Sequence, residues 1–203
     1  MKSFYSDLIT HLSKESRVAV QSVEDGYYVC DGHLAFKVSD YDYDRSFVPA
    51  SGLYKSVDIG KGLNIDFTRN TSIETDSPVN ISSFFKDSTS GVRKLLETAI
   101  LFDGEVAGDR KVNTFRVFIE GNKGDGDLIV TVPSTSPVVT AVNMKFLKLL
   151  KRFPDVTAYT KSSESAVYFY TDHRDYEFLI LPTRFKTATE QLKIIGKYLR
   201  GTC

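Results

Sequence analysis

Four cations and no anion fall within "VNMKFLKLLKRF", residues 142–153: Lys145, Lys148, Lys151 and Arg152. Over the whole chain the charges cancel, with Lys+Arg and Asp+Glu both at 26. If the segment is helical, Lys145, Lys148 and Arg152 at i, i+3 and i+7 share one face, with Lys151 beside them. A face of this kind attracts phosphates by counterion release and reads no bases. The same residues are also good helix formers that solvate an exposed surface, and the pattern alone leaves both readings open.

Catalytic chemistry finds little support. His11, His33 and His173 are dispersed and lie in no HExxH, HxH or Cys/His spacing. "DIGKGLN" carries Gly60, Lys61 and Gly62 but not the GxxxxGK[ST] loop that cradles phosphates. "NKGDGD" places Asp125 and Asp127 near glycines, yet lacks the other calcium ligands and the bidentate Glu, so it reads as a turn. "DHRD" flanks a hairpin turn, and no G-x-S-x-G elbow occurs. The expectation is a non-enzyme with no catalytic residue, no metal and no cofactor.

The elements that must carry the cations follow from periodicity. In 142–153, Phe146, Leu149, Leu150 and Phe153 recur at i, i+3, i+4 and i+7, and Pro154 ends the period, which predicts a helix. Residues 3–14 place Phe4, Leu8 and Leu12 on one stripe and predict another. "GVRKLLETAILF" (91–102) puts Val92, Leu95, Leu96, Ala99 and Ile100 on a stripe, with Arg93 and Lys94 outside it, and also reads as a helix. "TATEQLKIIGKYLRG" opens with a capping box, Thr187 and Glu190, and predicts a helix over 187–200.

Each of the first three is followed by short alternating runs. "RVAVQ" leads to "YYVCDGHLAFKV", where Asp31-Gly32 signals a hairpin whose second arm sets Leu34, Phe36 and Val38 on one face. "VNTFRVFIE", "DLIVTV" and "VVTAV" follow the 91–102 segment, and "VTAYT", "AVYFYT" and "YEFLIL" follow the basic one. A helix plus three antiparallel strands thus recurs, starting near residues 3, 91 and 143, with the helices packed on one face of the sheets. The fold class is α+β. Residues 40–86 are irregular: "SDYDYDRSF" reads as an exposed loop or edge strand, "YKSVDIGKGLNIDF" as a hairpin, and "RNTSIETDSPVNISSFFKDSTSG" as turn-rich.

With 41% hydrophobic and 26% charged residues, the chain has an ordinary globular composition. Zero formal net charge restricts any polyanion site to a local patch. Cys30 and Cys203 form no disulfide framework and fit a reducing compartment. No stretch suits a membrane span and "MKSFYSDLITHL" lacks a signal-peptide core, so a cytoplasmic location without membrane contact is expected.

From residue 90 to 185 the order of elements resembles the terminal domain of bacterial DNA polymerase sliding clamps. Val142-Asn143 leads into Phe146-Leu147, and Leu181-Pro182-Thr183-Arg184-Phe185 stands at that family's closing apolar-Pro-x-Arg-apolar motif. The resemblance implies a DNA-clamp-like fold, with a reduced N-terminal domain at 1–86, a clamp-like domain at 87–185 and a helical tail at 186–203. It implies a phosphate-facing role for Lys145, Lys148, Lys151, Arg152, Arg93 and Lys94, and a partner-peptide role for Leu181, Pro182 and Arg184.

The partners it implies are double-stranded DNA, a replication protein or polymerase peptide, and possible copies of the chain itself in a homo-oligomer. The departures are that the chain offers one complete domain where rings join six, and that the first helix has Ser6, Asp7, Thr10 and Lys14 on its outer side. A divergent relative, of viral or mobile-element origin, suits this pattern. A different reading is a protein–protein interaction module or inhibitor without DNA binding, acting through the acidic "DYDYD" segment or the C-terminal helix.

Overall fold

The computed structural model describes residues 5–105, 112–121, 138–151, 153, 156–171, 176–182, 193, 195 and 196. The chain divides into two compact units, Met1–Asp87 with His173–Leu179, and Ser88–Asp172 with Ile180–Cys203. It is mostly β, and every strand pair with a described register is antiparallel.

The first unit opens with α1 (Tyr5–Leu12), which buries Tyr5, Leu8 and Leu12 as the i, i+3, i+7 stripe requires. Strands β1 (Arg17–Val23), β2 (Gly26–Cys30) and β3 (Leu34–Val38) form a meander. Leu34, Phe36 and Val38 are buried together, as their alternation predicts. The Asp31 side chain makes the turn between β2 and β3: its Oδ1 accepts from the His33 and Leu34 N–H groups, both at 2.7 Å, while Gly32 takes φ +92°.

Residues 40–47 are helical, not a loop or edge strand: α2 (Asp40–Asp42) runs into a π-helical turn, Tyr43–Phe47, and a 3-10 turn, Val48–Ala50. Tyr43 and Phe47 are fully buried, and Tyr43 stacks on Tyr27 with centroids 3.9 Å apart. Core aromatics override the exposed reading that the flanking acids suggest. The tyrosine–aspartate alternation is therefore two helical residues facing in opposite directions, Tyr41 outward and Tyr43 inward. The hairpin predicted over 54–67 does not form: only its second arm is a strand, β4 (Gly62–Asp66), and it pairs with β5 (Thr71–Thr75) from the stretch read as turn-rich, giving the unit's strand order β5-β4-β1-β2-β3.

The turn-rich 69–91 stretch contains α3 (Ile81–Thr89). Asn80 caps it, its Oδ1 accepting from Ser83 N–H at 3.3 Å, and Ile81 and Phe85 at i, i+4 are buried. The predicted helix at 91–102 does not form. Those residues open β6 (Arg93–Glu105), which pairs with β7 (Val112–Glu120).

The strand carries a bulge. Glu97 pairs with Phe118 and Leu101 with Arg116, so Thr98, Ala99 and Ile100 stand opposite Val117 alone. Thr98 Oγ1 donates to the Val117 carbonyl at 2.8 Å and accepts from Ile100 N–H at 3.1 Å, replacing the lost ladder bonds. The helical look has another cause: both faces of β6 are covered, Leu95 lining the cavity beside α4 and Leu96, Ile100 and Phe102 packing with Val117, Ile119 and Val139, so apolar residues fall on both sides of the strand.

The second unit continues with β8 (Val139–Asn143), α4 (Met144–Leu150), β9 (Thr157–Thr160) and β10 (Val167–Tyr170), in the order β10-β9-β6-β7-β8. The last strand, β11 (Glu177–Ile180), begins in the first unit, where Phe178 packs on Phe36 with centroids 6.3 Å apart. With α3 in place of 91–102, the helix-plus-three-strand order still recurs, as α1-β1-β2-β3, α3-β6-β7-β8 and α4-β9-β10-β11.

Leu96, Val117, Ile119 and Val139 form a buried cluster on one face of the second unit's sheet, and Ile195 packs against it. Lys193, Ile195 and Gly196 are the described part of the predicted C-terminal helix and are helical. "DLIVTV", "NKGDGD" and "DHRD" lie outside the described residues.

Candidate nucleic-acid interface

The basic helix begins where β8 ends. Asn143 is buried and extended (φ −63°, ψ 129°), and its side-chain oxygen accepts from Lys145 N–H at 2.9 Å, which caps α4. Phe146, Leu147 and Leu150 are buried, and Phe153, also buried, donates its N–H to the Leu150 carbonyl at 3.0 Å. Leu149, expected in the apolar stripe, is half-buried, and Leu147 takes its place.

Lys145, Lys148 and Lys151 are exposed. Spaced by three residues, they sweep an arc of about 120° and advance about 9 Å along the axis. The Lys145 ammonium lies 4.5 Å from the centroid of the Phe146 ring. Lys148 and Lys151 make no ion pair among the described residues. Arg152 lies outside them.

Arg93 and Lys94, expected to extend this patch, stand on β6 and not on a helix. On a strand, neighbouring side chains point to opposite faces. Arg93 reaches Glu120, with Nη1 3.1 Å from Oε2, and that same oxygen accepts the Val138 N–H at 3.1 Å. The guanidinium is therefore a tie between the starts of β6 and β8 and the end of β7. Lys94 is exposed, pairs with Tyr159 on β9, and lines the same cavity beside α4 as Lys151. Of the expected peptide-contact residues, Leu181 is half exposed and Pro182 half-buried, while Arg184 lies outside the described residues.

The same unit holds a groove that sequence reasoning did not anticipate. A cavity of about 470 Å³ runs beside α4 and is lined by Met144, Leu147, Leu150, Phe118, Ala158 and Phe169, with Lys151, Arg116 and Glu97 also on its walls. Arg116 Nε lies 3.4 Å from Glu97 Oε1, and its Nη1 donates to the Thr98 carbonyl at 2.8 Å. The only sequence trace of the groove is the Met144, Leu147, Lys151 spacing.

Among the described residues, one group of ligand-type side chains converges: His11, Glu15 and Asp31, with ligand atoms within 4.8 Å of one another. His11 Nε2 and Asp31 Oδ2 are 2.7 Å apart, a direct hydrogen bond that leaves no space for an ion between them. Burial by itself would raise the Asp31 pKa. The hydrogen bonds from His11, Leu34 N–H and His33 N–H outweigh it and hold the carboxyl below the usual range. The pair ties the end of α1 to the β2–β3 turn. Two of the acids of 40–44 are similarly engaged: Asp42 accepts from Ser39 and Tyr5, and Asp44 from Ser56.

No protein-family model matches the chain, and no curated protein matches it. Among solved structures it is similar to a protein assigned as a DNA polymerase III beta subunit from Eubacterium rectale ATCC 33656, at 12% identity and TM-score 0.37, covering 88% of this chain and 63% of that one. It is similar to the beta subunit from the DNA polymerase of Streptococcus pyogenes, at 7% identity and TM-score 0.37, covering 90% and 64%. It is also similar to the DNA polymerase III beta chain of Streptococcus pneumoniae TIGR4, at 9% identity and TM-score 0.33, covering 90% and 64%. The chain spans less than two thirds of the length of these subunits.

Proposed function

We propose that this chain is a non-enzymatic, cytoplasmic, sliding-clamp-like protein that associates with duplex DNA and recruits a replication partner. The observation that carries the reading is α4: a capped helix, buried on one side, that holds Lys145, Lys148 and Lys151 in solvent with no acid on the helix. Support also comes from the recurring helix-plus-three-strand order and from the "VNMKF" and "LPTRF" motifs that resemble the clamp family. DNA is held through phosphates, and partners dock at the surface around Leu181 and Pro182. Holding a duplex topologically needs several copies, so the chain works as a homo-oligomer.

The test is retention of linear duplex DNA at low ionic strength by the intact chain and by the K145E/K148E/K151E variant, with solution mass measured under the same conditions. Retention that falls with salt and is lost in the variant is expected. A monomer of 22.8 kDa with no salt-sensitive retention would overturn the reading.

A further inference from the structure

The geometry points to the groove beside α4 as a docking site for a short peptide segment of a partner protein, one that carries apolar anchors flanked by acidic residues. Its volume of about 470 Å³ lies within the range of ligand pockets. The α4 wall from Met144 to Lys151 is about 10 Å long at 1.5 Å per residue, which matches about three residues of extended chain.

The composition selects the ligand. Leu147, Leu150, Phe118 and Phe169 offer an apolar floor, and Ala158 leaves room there for an incoming side chain. Glu97, the acid among the described wall residues, is already paired with Arg116, so the charge left on the walls is positive. Lys151 stands at the groove and Lys148 follows on the exposed side of the same helix, placed to meet acids on a peptide that runs along α4.

This site is separate from Leu181 and Pro182, and it stands whether or not the chain binds DNA. The two activities draw on shared lysines, so peptide and DNA compete if both bind.

The chain contains no Trp, so V156W, at a half-buried wall position, supplies a single Trp at the groove that can be excited apart from the tyrosines. The probe is a decapeptide with Leu and Phe at alternate positions and Asp or Glu between them, and its Lys-substituted counterpart is the control. Saturable Trp quenching by the acidic peptide alone, weakened about tenfold by K148E/K151E and about tenfold by A158L, is expected.

No saturable change with the acidic peptide, or equal binding of both peptides, would overturn the inference. Should V156W fail to fold, polarisation of the labelled peptide with the unmodified chain and with K148E/K151E separates the same outcomes. DNA retention measured on these preparations distinguishes the two ideas: peptide binding without DNA retention keeps the groove and removes the clamp reading.

Discussion

The number of phosphates the protein can neutralise follows from its geometry, and it sets a measurable salt slope. A basic surface built from all six cations expected from sequence would give a slope of log affinity against log salt of about −5.4 on duplex DNA, at about 0.9 per phosphate. The structure pairs one of them: Arg93 is held by Glu120, whereas Lys94 lines the cavity beside α4 with Lys151. The α4 lysines alone give a slope of about −2.7, and Arg152, if it joins them, about −3.6.

Between 50 and 200 mM salt the first figure means a loss of affinity of about 40-fold, against about 2,000-fold for six contacts. Fluorescence anisotropy of a labelled duplex, titrated at four salt concentrations, distinguishes these values. K145A, K148A and K151A should each lower the slope by about 0.9, whereas R93A should leave it unchanged. A slope near −5, or an equal fall in R93A, would refute the assignment of Arg93 as a structural tie.

Other consequences concern the first unit. D31A removes an acceptor for three hydrogen bonds, each at 2.7 Å, and should cost about 3 kcal/mol in urea denaturation, while D31N keeps the Oδ1 turn bonds and should cost about half as much. Because folding lowers the Asp31 pKa, its stabilisation is complete above the unfolded value of about 3.9 and disappears as pH falls through the lower folded value; the gap between wild type and D31N should therefore close as pH falls below about 4. G26A forces a side chain onto φ +135° and into the Val38 carbonyl, a loss of about 2–4 kcal/mol, whereas G52A, with open space around its Cβ, should stay within about 0.5 kcal/mol by the same assay. Burial raises the Cys30 thiol pKa more than the Gly32 N–H lowers it, so peptide-resolved alkylation of Cys30 at pH 8 should be about tenfold slower in native than in urea-unfolded protein.

What was legible in the sequence were the features that local chemistry decides. Asp31-Gly32 makes its own turn, Leu34, Phe36 and Val38 alternate without interruption, and Phe146 with Leu150 and Pro154 bounds a helix. The failures came where a partner far along the chain decides. Tyr41 and Tyr43 are the same residue type two positions apart, and only the Tyr27 and Phe47 rings determine that the second is core. Ser82, Ser83, Asp87, Ser88 and Thr89 gave α3 the composition of a loop, and its signal was reduced to the Asn80 cap and the Ile81–Phe85 pair.

The segment at 91–102 shows how one local feature redirects a functional expectation. Val92, Leu95, Leu96, Ala99 and Ile100 look helical because β6 carries apolar residues on both faces, Leu95 in the groove and Leu96 in the Val117 cluster, and no property of those residues alone reveals the partners across the sheet. Once the segment is a strand, Arg93 and Lys94 cannot share a face: the first binds Glu120, and the second lines the groove beside α4. A basic surface expected along two helices thus gathers around one. Lys94 and Lys151 border an apolar groove there, and the same contraction that shortens a phosphate track gives a short acidic peptide a place to bind.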